Sequence, residues 1–378
     1  MKTLFIHIGT PKTGTTSIQR FCVRNEPLLK QRNYCYPLFK ELYPESTPSR
    51  NGYFLVGVVK DEHGNRCIEK EDENFRKGLE KIKELFLEYD NVILSDEKIW
   101  RSMDLFRTDL WATLKQEAKK EGFEIQVIVY LRRQDQLICS LWNQSVKSLH
   151  TMNEKTLQEY MNSINLKLRL DYYAKLERIS SVLGKDHMVV RRFDKEHFYG
   201  GNIYADFLDA IGLAWSDEFD IKQDVRNQGL SPNAIELKRI LNSIPDSSDS
   251  VQQEFIYSIL RICSDVSSNR YPCAMLSKEE ALEFLKTYEE GNQKIAREYL
   301  QDEDSPLFST TIKDLPKWQP DNKYMMEDII RLIGISNLRL LEENLKLREE
   351  FESFRYKVKH PFYALSERLK RKREQTDS

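Results

Sequence analysis

Long apolar runs are missing from this 378-residue sequence. No segment approaches about 18 consecutive apolar residues, so a membrane-spanning helix is not expected. The N-terminal run from Leu4 to Ile8 contains His7 and stops at glycine, too short and too interrupted for a secretory leader. An excess of either charge is missing too. With 58 Lys+Arg against 60 Asp+Glu, the chain has no overall field to gather nucleic acid or another polyanion, and any such affinity must be local. Paired cysteines are also absent: Cys22, Cys35, Cys67, Cys139, Cys263 and Cys273 are scattered without a C-x-x-C motif. That pattern points away from a disulfide framework or a metal site and toward free thiols in a reducing compartment. The expectation is a cytoplasmic protein with no metal and no nucleic-acid partner, contact with the inner face of a membrane being left open.

Four β-type runs stand out: TLFIHIG (3–9), NVILSDE (91–97), FEIQVIVYLR (123–132) and HMVVRRF (187–193). Between them apolar residues recur at helical spacing, as in Phe75, Leu79, Ile82, Leu85 and Phe86, or Tyr172, Leu176, Ile179 and Val182. Alternating strands and helices indicate an α/β fold with a parallel sheet covered on both faces, and such sheets bind ligands at the carboxyl ends of their strands. Residues 1–310 are expected to form this domain, with a largely helical portion over about 231–310; residues 311–325 read as a linker.

Residues 326–378 read as a C-terminal helix with a basic tail. Ile330, Ile333, Asn337, Leu340, Asn344, Leu347, Phe351, Phe354 and Val358 alternate spacings of three and four, a heptad seam whose two a-position asparagines favour a parallel homodimer. Leu338, Leu341 and Leu345 widen the stripe and suit a helix packed back on its own domain, so both arrangements stay open. The tail SERLKRKREQ suits a solvated charge run or an anionic membrane surface.

The first strand runs into GTPKTGTT, Gly9 to Thr16. This has the glycines and closing Thr of a P-loop, G-x-x-x-x-G-K-[ST], but Thr15 stands where that motif has lysine, and the lysine is at position 12. A strand, a glycine turn and a helix starting near Thr15 aim backbone N–H groups and a helix N-terminus at one anion. The lysine after the second glycine is the main charge clamp on a triphosphate. A lysine three residues earlier suits the bridging oxygen of a shorter anhydride.

PKTGTTS resembles the 5′-phosphosulfate-binding loop of sulfotransferases that use 3′-phosphoadenosine 5′-phosphosulfate, whose pattern P-K-[ST]-G-T-[TS]-x is matched by Pro11 to Ser17. In YLRRQDQLICSLWNQ, Arg132 and Ser140 have the spacing of that family's 3′-phosphate site, an arginine at a strand end and a serine eight residues on in a helix. A guanidinium gives a phosphate dianion a charge-assisted fork and a serine adds a hydroxyl. Of the neighbours Arg132 and Arg133 only one can face the nucleotide, because adjacent strand residues point to opposite faces, and the spacing selects Arg132.

The resemblance extends, through segments such as LDYYAKLERISSVLGKDHMVVRRFD and GGNIYADFLDAIGL, to bacterial carbohydrate-type sulfotransferases and ends near Phe308. It implies a P-loop-like three-layer α/β/α fold. It also implies a sulfuryl group moved to a hydroxyl or amine, on a saccharide or lipid-linked glycan, with adenosine 3′,5′-bisphosphate as the product. Lys12 then meets the bridging oxygen and the sulfuryl group. Thr13, Gly14, Thr15, Thr16 and Ser17 hold the 5′-phosphate and sulfate, and Arg132 and Ser140 hold the 3′-phosphate. By analogy with phosphoryl transfer the displacement is in line and loose, and a monoanionic sulfuryl group needs no metal.

Glu97 in ILSDEKIW is the first choice for the base that takes the acceptor proton, being just past the second strand at the sheet edge shared with Lys12. Ser95, Asp96 and Glu97 would equally cap the helix that follows. Asp96 is the near alternative, and His7 and His63 are weaker ones. Arg191 or Arg192, and Asn227, are further candidates to line the cleft. The other readings are a P-loop kinase, which leaves Arg132 and Ser140 without a purpose, and a non-catalytic interaction protein on a dimerising helix.

Overall fold

The computed structural model describes residues 1–102, 107–162, 169–221, 229–244, 250–267, 271–302 and 305–360. Five strands form one parallel sheet: β1 (Thr3–His7), β2 (Tyr34–Cys35), β3 (Asn91–Ser95), β4 (Glu124–Leu131) and β5 (Met188–Arg192), in the order β2-β3-β1-β4-β5. β1 is central, with Thr3 opposite Asn91 on one side and Glu124 on the other.

All five residues of β1 are buried, as a parallel strand covered on both faces requires. The period of two assigns its side chains to two cores. Leu4 and Ile6 join Val92, Leu94, Val127 and Val129 in the larger core, whereas Phe5 joins Ile93, Ile128, Tyr130, Ile18, Phe21 and Phe207 in the smaller. Helices α1 (Thr15–Arg24) and Ile203–Ala210 contribute to the smaller core, and helices Ile68–Leu85, Leu110–Glu121 and Tyr172–Leu183 to the larger. The result is a P-loop-like three-layer α/β/α arrangement, with helices on both sides of the sheet. Strand β2 is the element the sequence did not reveal; two residues are too few for any periodicity.

The chain divides into two compact units. The first comprises Met1–Gln144, Lys155–Gln228 and Met275–Leu315 and carries the sheet; the second comprises Ser145–Glu154, Gly229–Ala274 and Pro316–Ser378. The helical stretch 231–310 is thus shared between them. In the second unit Ser231 accepts from the Ala234 N–H and caps helix Pro232–Asn242, with Pro232 pre-set for the first turn. Buried Lys238 donates to Gln253 at 2.7 Å and to Asn242. The helix Met325–Lys359 runs unbroken for 35 residues. Among the described residues no helix is long and apolar enough to cross a membrane. The basic tail and Asn227 lie outside the described residues.

Candidate functional site

The loop after β1 leaves the sheet on a fixed course. The Ile8 N–H donates to the Ile128 carbonyl at 3.0 Å and the Thr10 N–H to the Tyr130 carbonyl at 2.9 Å. Gly9, Lys12 and Gly14 then take φ of 98°, 66° and 74°. Glycine adopts that region freely, whereas Lys12 holds it at a cost of about 1–2 kcal/mol. Gly9 is needed for a second reason: a Cβ there would stand 3.3 Å from the Cβ of Glu97. The buried Thr13 hydroxyl donates to the Thr10 carbonyl at 2.5 Å, so it braces the loop from within.

Gly14 opens α1 with no side-chain cap and no acidic residue in the first turn. The first N–H groups of a helix have no intrahelical acceptor, and its dipole is positive there. Thr15 is buried and its hydroxyl has no partner among the described residues. A buried, unpartnered hydroxyl beside an uncapped helix start fits an anion. Thr16 is exposed, and Ser17 lines an adjoining cavity of about 510 Å³.

Two cations meet at this loop. Lys12 is half-buried with no ion-pair partner among the described residues; burial lowers its pKa, which the nearby Glu97 charge opposes and Arg132 reinforces. Arg132 donates from Nη1 to the Lys12 carbonyl at 3.1 Å and lies 5.7 Å from the centre of the Phe193 ring. Its own carbonyl is held by the Tyr172 hydroxyl at 2.7 Å. No carboxylate pairs with Arg132 among the described residues. Arg133 differs: it forks onto Asp135 at 2.8 and 3.0 Å and donates to the carbonyls of Ser309 and Thr311. Ser140 is half-buried in helix Gln134–Lys147, four residues from Gln136 and so on the same helical face, and Gln136 lines the cavity.

The candidate bases separate clearly. Glu97 is half-buried against Gly9, with no hydrogen-bond partner among the described residues. Asp96 is buried; one oxygen accepts from Arg50 at 2.8 Å and from the Lys98 N–H at 2.7 Å, and burial raises its pKa against the pull of Arg50. His7 is a core histidine. It bonds Ser95 through Nδ1 at 2.9 Å, and burial drives its pKa down to about 3. His63 is exposed in a surface turn.

Arg191 pairs with Asp209 at 2.6 Å, and Arg192 with Asp302 at 2.6 Å and the Leu307 carbonyl at 2.8 Å, so both carry structural contacts. Tyr53 and Phe54 are core residues, and Lys60 is exposed. Sequence reasoning missed the aromatic wall of the cavity: Phe193, Phe198, Tyr204 and Phe308. Only Phe193, directly after β5, carried a signal, its place at a strand's carboxyl end.

No protein-family model matches the chain. It is similar to an uncharacterized protein of Archaeoglobus fulgidus, 28% identical over 175 residues, which are 46% of this chain and 45% of that one. The match thus spans less than half of that relative. Among solved structures it is similar to a sulfotransferase from Alicyclobacillus acidocaldarius (13% identity, TM-score 0.34, covering 64% of this chain and 94% of that one). It is also similar to the PezAT toxin–antitoxin system of Streptococcus pneumoniae (14% identity, TM-score 0.26, covering 58% and 82%). At these scores the likenesses carry no functional assignment; the site's own residues must.

Proposed function

We propose that the chain is a sulfotransferase that moves a sulfuryl group from 3′-phosphoadenosine 5′-phosphosulfate to a hydroxyl or amine, on a saccharide or lipid-linked glycan. The observation that carries this reading is Arg132, a half-buried guanidinium with no carboxylate partner among the described residues, held against the loop that bears Lys12. An unpaired, partly desolvated cation is costly unless a ligand supplies the counter-charge. A 3′-phosphate is such a ligand, and Ser140 on the neighbouring helix adds a hydroxyl. A kinase loop gives Arg132 no role.

The remaining residues take roles by their chemistry. The uncapped start of α1 and the free Thr15 hydroxyl suit the 5′-phosphate and sulfate, with Gly14, Thr16 and Ser17 beside them and Thr13 stiffening the loop. The aromatic cavity suits the adenosine, since ring faces stack on any base. The bound donor supplies the electrophilic sulfur. Lys12 meets the negative charge that grows on the leaving phosphate as the S–O bond to it breaks. Glu97 takes the proton of the acceptor as the new O–S or N–S bond forms.

The test is donor turnover in chelator: release of adenosine 3′,5′-bisphosphate from the donor in the presence of a panel of oligosaccharides, with Lys12→Ala as control. Release lost in the variant supports the reading. Hydrolysis of ATP with Mg²⁺, and none of the sulfate donor, would transfer the site to the kinase class.

A further inference from the structure

We infer that the helix Met325–Lys359 pairs in parallel and in register with the same helix of a second copy of this chain. The helix is about 52 Å long at 1.5 Å per residue. One face is already used inside its own unit: Asp328 is buried and accepts from Asn233 at 2.8 Å, and Arg339 donates to Ser258 at 2.5 Å. The opposite face is the seam that begins at Ile330 and ends at Val358. Ile330, Ile333, Leu347, Phe351 and Phe354 are 63%, 55%, 62%, 63% and 64% exposed. A contiguous apolar stripe of this length on a soluble helix marks an interaction surface.

Charge identifies the occupant. With Ile330, Asn337, Asn344 and Phe351 at a and Ile333, Leu340, Leu347 and Phe354 at d, the g positions hold Glu343 and Glu350, and the e positions that follow hold Arg348 and Arg355. In a parallel pair, g of one helix faces the next e of its partner, so Glu343 meets the partner's Arg348, and Glu350 the partner's Arg355, on both sides of the seam. An antiparallel pair brings g to g and e to e, setting glutamate against glutamate and arginine against arginine. Glu343, Arg348 and Glu350 have no ion-pair partner among the described residues, and Arg355 reaches only Glu352, at 3.5 Å.

The asparagines point the same way. The Asn344 amide nitrogen donates back to the Leu340 carbonyl at 2.8 Å, leaving its oxygen to accept across the seam from the matching asparagine. Asparagine facing asparagine at a is satisfied in a parallel, in-register dimer, whereas facing a leucine or phenylalanine it is buried unpaired. Exposed ion pairs add little stability, so their role is to select orientation.

The experiment is sedimentation equilibrium of the full chain at micromolar concentration. The expected mass is that of two chains, falling to one in Leu347→Asp/Phe351→Asp while the melting temperature of the α/β unit stays unchanged. A monomeric wild type, or a dimer that survives the double substitution, overturns the inference, as does a trimer drawing on the wider stripe with Leu338, Leu341 and Leu345. Orientation is read with Val358→Cys under mild oxidation, the wild type reporting any bridging by native thiols. A new disulfide-linked dimer is expected. Antiparallel chains would keep the two thiols about 42 Å apart, at 1.5 Å for each of the intervening residues, and give no new link.

Discussion

The guanidinium of Arg132 and the backbone of Lys12, 120 residues apart in sequence, are joined by a 3.1 Å hydrogen bond. The contact links the end of β4 to the loop after β1, so the two cations that the proposed function assigns to the 3′-phosphate and to the leaving group are tied to each other through the backbone. Arg133, the next residue, has its fork filled by Asp135. Neighbours of identical chemistry are therefore divided by their partners: Arg133 is held by Asp135, whereas Arg132 has no carboxylate partner among the described residues.

That division predicts opposite phenotypes. Arg133→Ala leaves the nearly buried Asp135 unpaired and strips two carbonyls of their donor; a loss of about 3 kcal/mol is expected. Arg132→Ala removes an unpaired, partly desolvated cation together with its hydrogen bond to the Lys12 carbonyl; the two effects offset, and a change of about 1 kcal/mol or less is expected. Urea unfolding of both variants checks this. Equal losses would mean that Arg132 is structural as well.

Gly9→Ala should damage stability and turnover together. The new Cβ meets the Pro11 nitrogen at 3.2 Å and the Glu97 Cβ at 3.3 Å, on a backbone of positive φ. A cost of about 1–2 kcal/mol is expected from φ alone, with turnover reduced further because Glu97 must move. Unchanged kcat in a folded Gly9→Ala protein would separate Glu97 from the chemistry.

Glu97→Gln is expected to lower kcat about 100-fold or more, the usual share of a general base, with the affinity for adenosine 3′,5′-bisphosphate unchanged. Asp96→Asn keeps an acceptor for Arg50 and for the Lys98 N–H and should leave kcat within a few-fold. The reverse order of effects would make Asp96 the base.

His7 makes the fold acid-sensitive. Its native pKa is about 3 against an ordinary 6.5, so between those values the unfolded chain binds a proton that the native chain does not. Stability therefore falls as pH drops from 6.5 toward 3, by about 1.4 kcal/mol per pH unit from this group. Urea midpoints of wild type and His7→Gln between pH 7 and 5 test it. The wild-type slope should be the steeper, and parallel slopes would contradict a neutral buried His7.

Much of this site was legible in the sequence, and the reasons are local. Strands β1, β3, β4 and β5 each carry a short apolar stretch rich in valine, isoleucine and leucine, and GTPKTGTT encodes positive-φ turns through Gly9 and Gly14. Arg132 and Ser140 are eight residues apart in one strand–helix unit, and it was the resemblance to the sulfotransferase pattern that singled out the pair. The aromatic cavity was not legible, because Phe193 and Phe308 meet only through the tertiary fold and Phe198 and Tyr204 resemble ordinary core residues in isolation. The sequence separated Arg132 from Arg133 by strand alternation, but β4 ends at Leu131 and both arginines lie beyond it; what distinguishes them is the Asp135 partner of Arg133, which the sequence did not show. Asp135 is merely the next acid along until the helix turns it back. The same holds for Asp96, whose partner Arg50 comes from a distant loop.

The most direct test is calorimetric titration with adenosine 3′,5′-bisphosphate in chelator, on wild type, Arg132→Ala and Lys12→Ala. A sulfotransferase site predicts metal-independent micromolar binding that weakens at least tenfold in Arg132→Ala, about 1.4 kcal/mol, with a smaller loss in Lys12→Ala because that lysine serves the transition state. No binding of the bisphosphate by the folded wild type, or binding indifferent to Arg132, would contradict it.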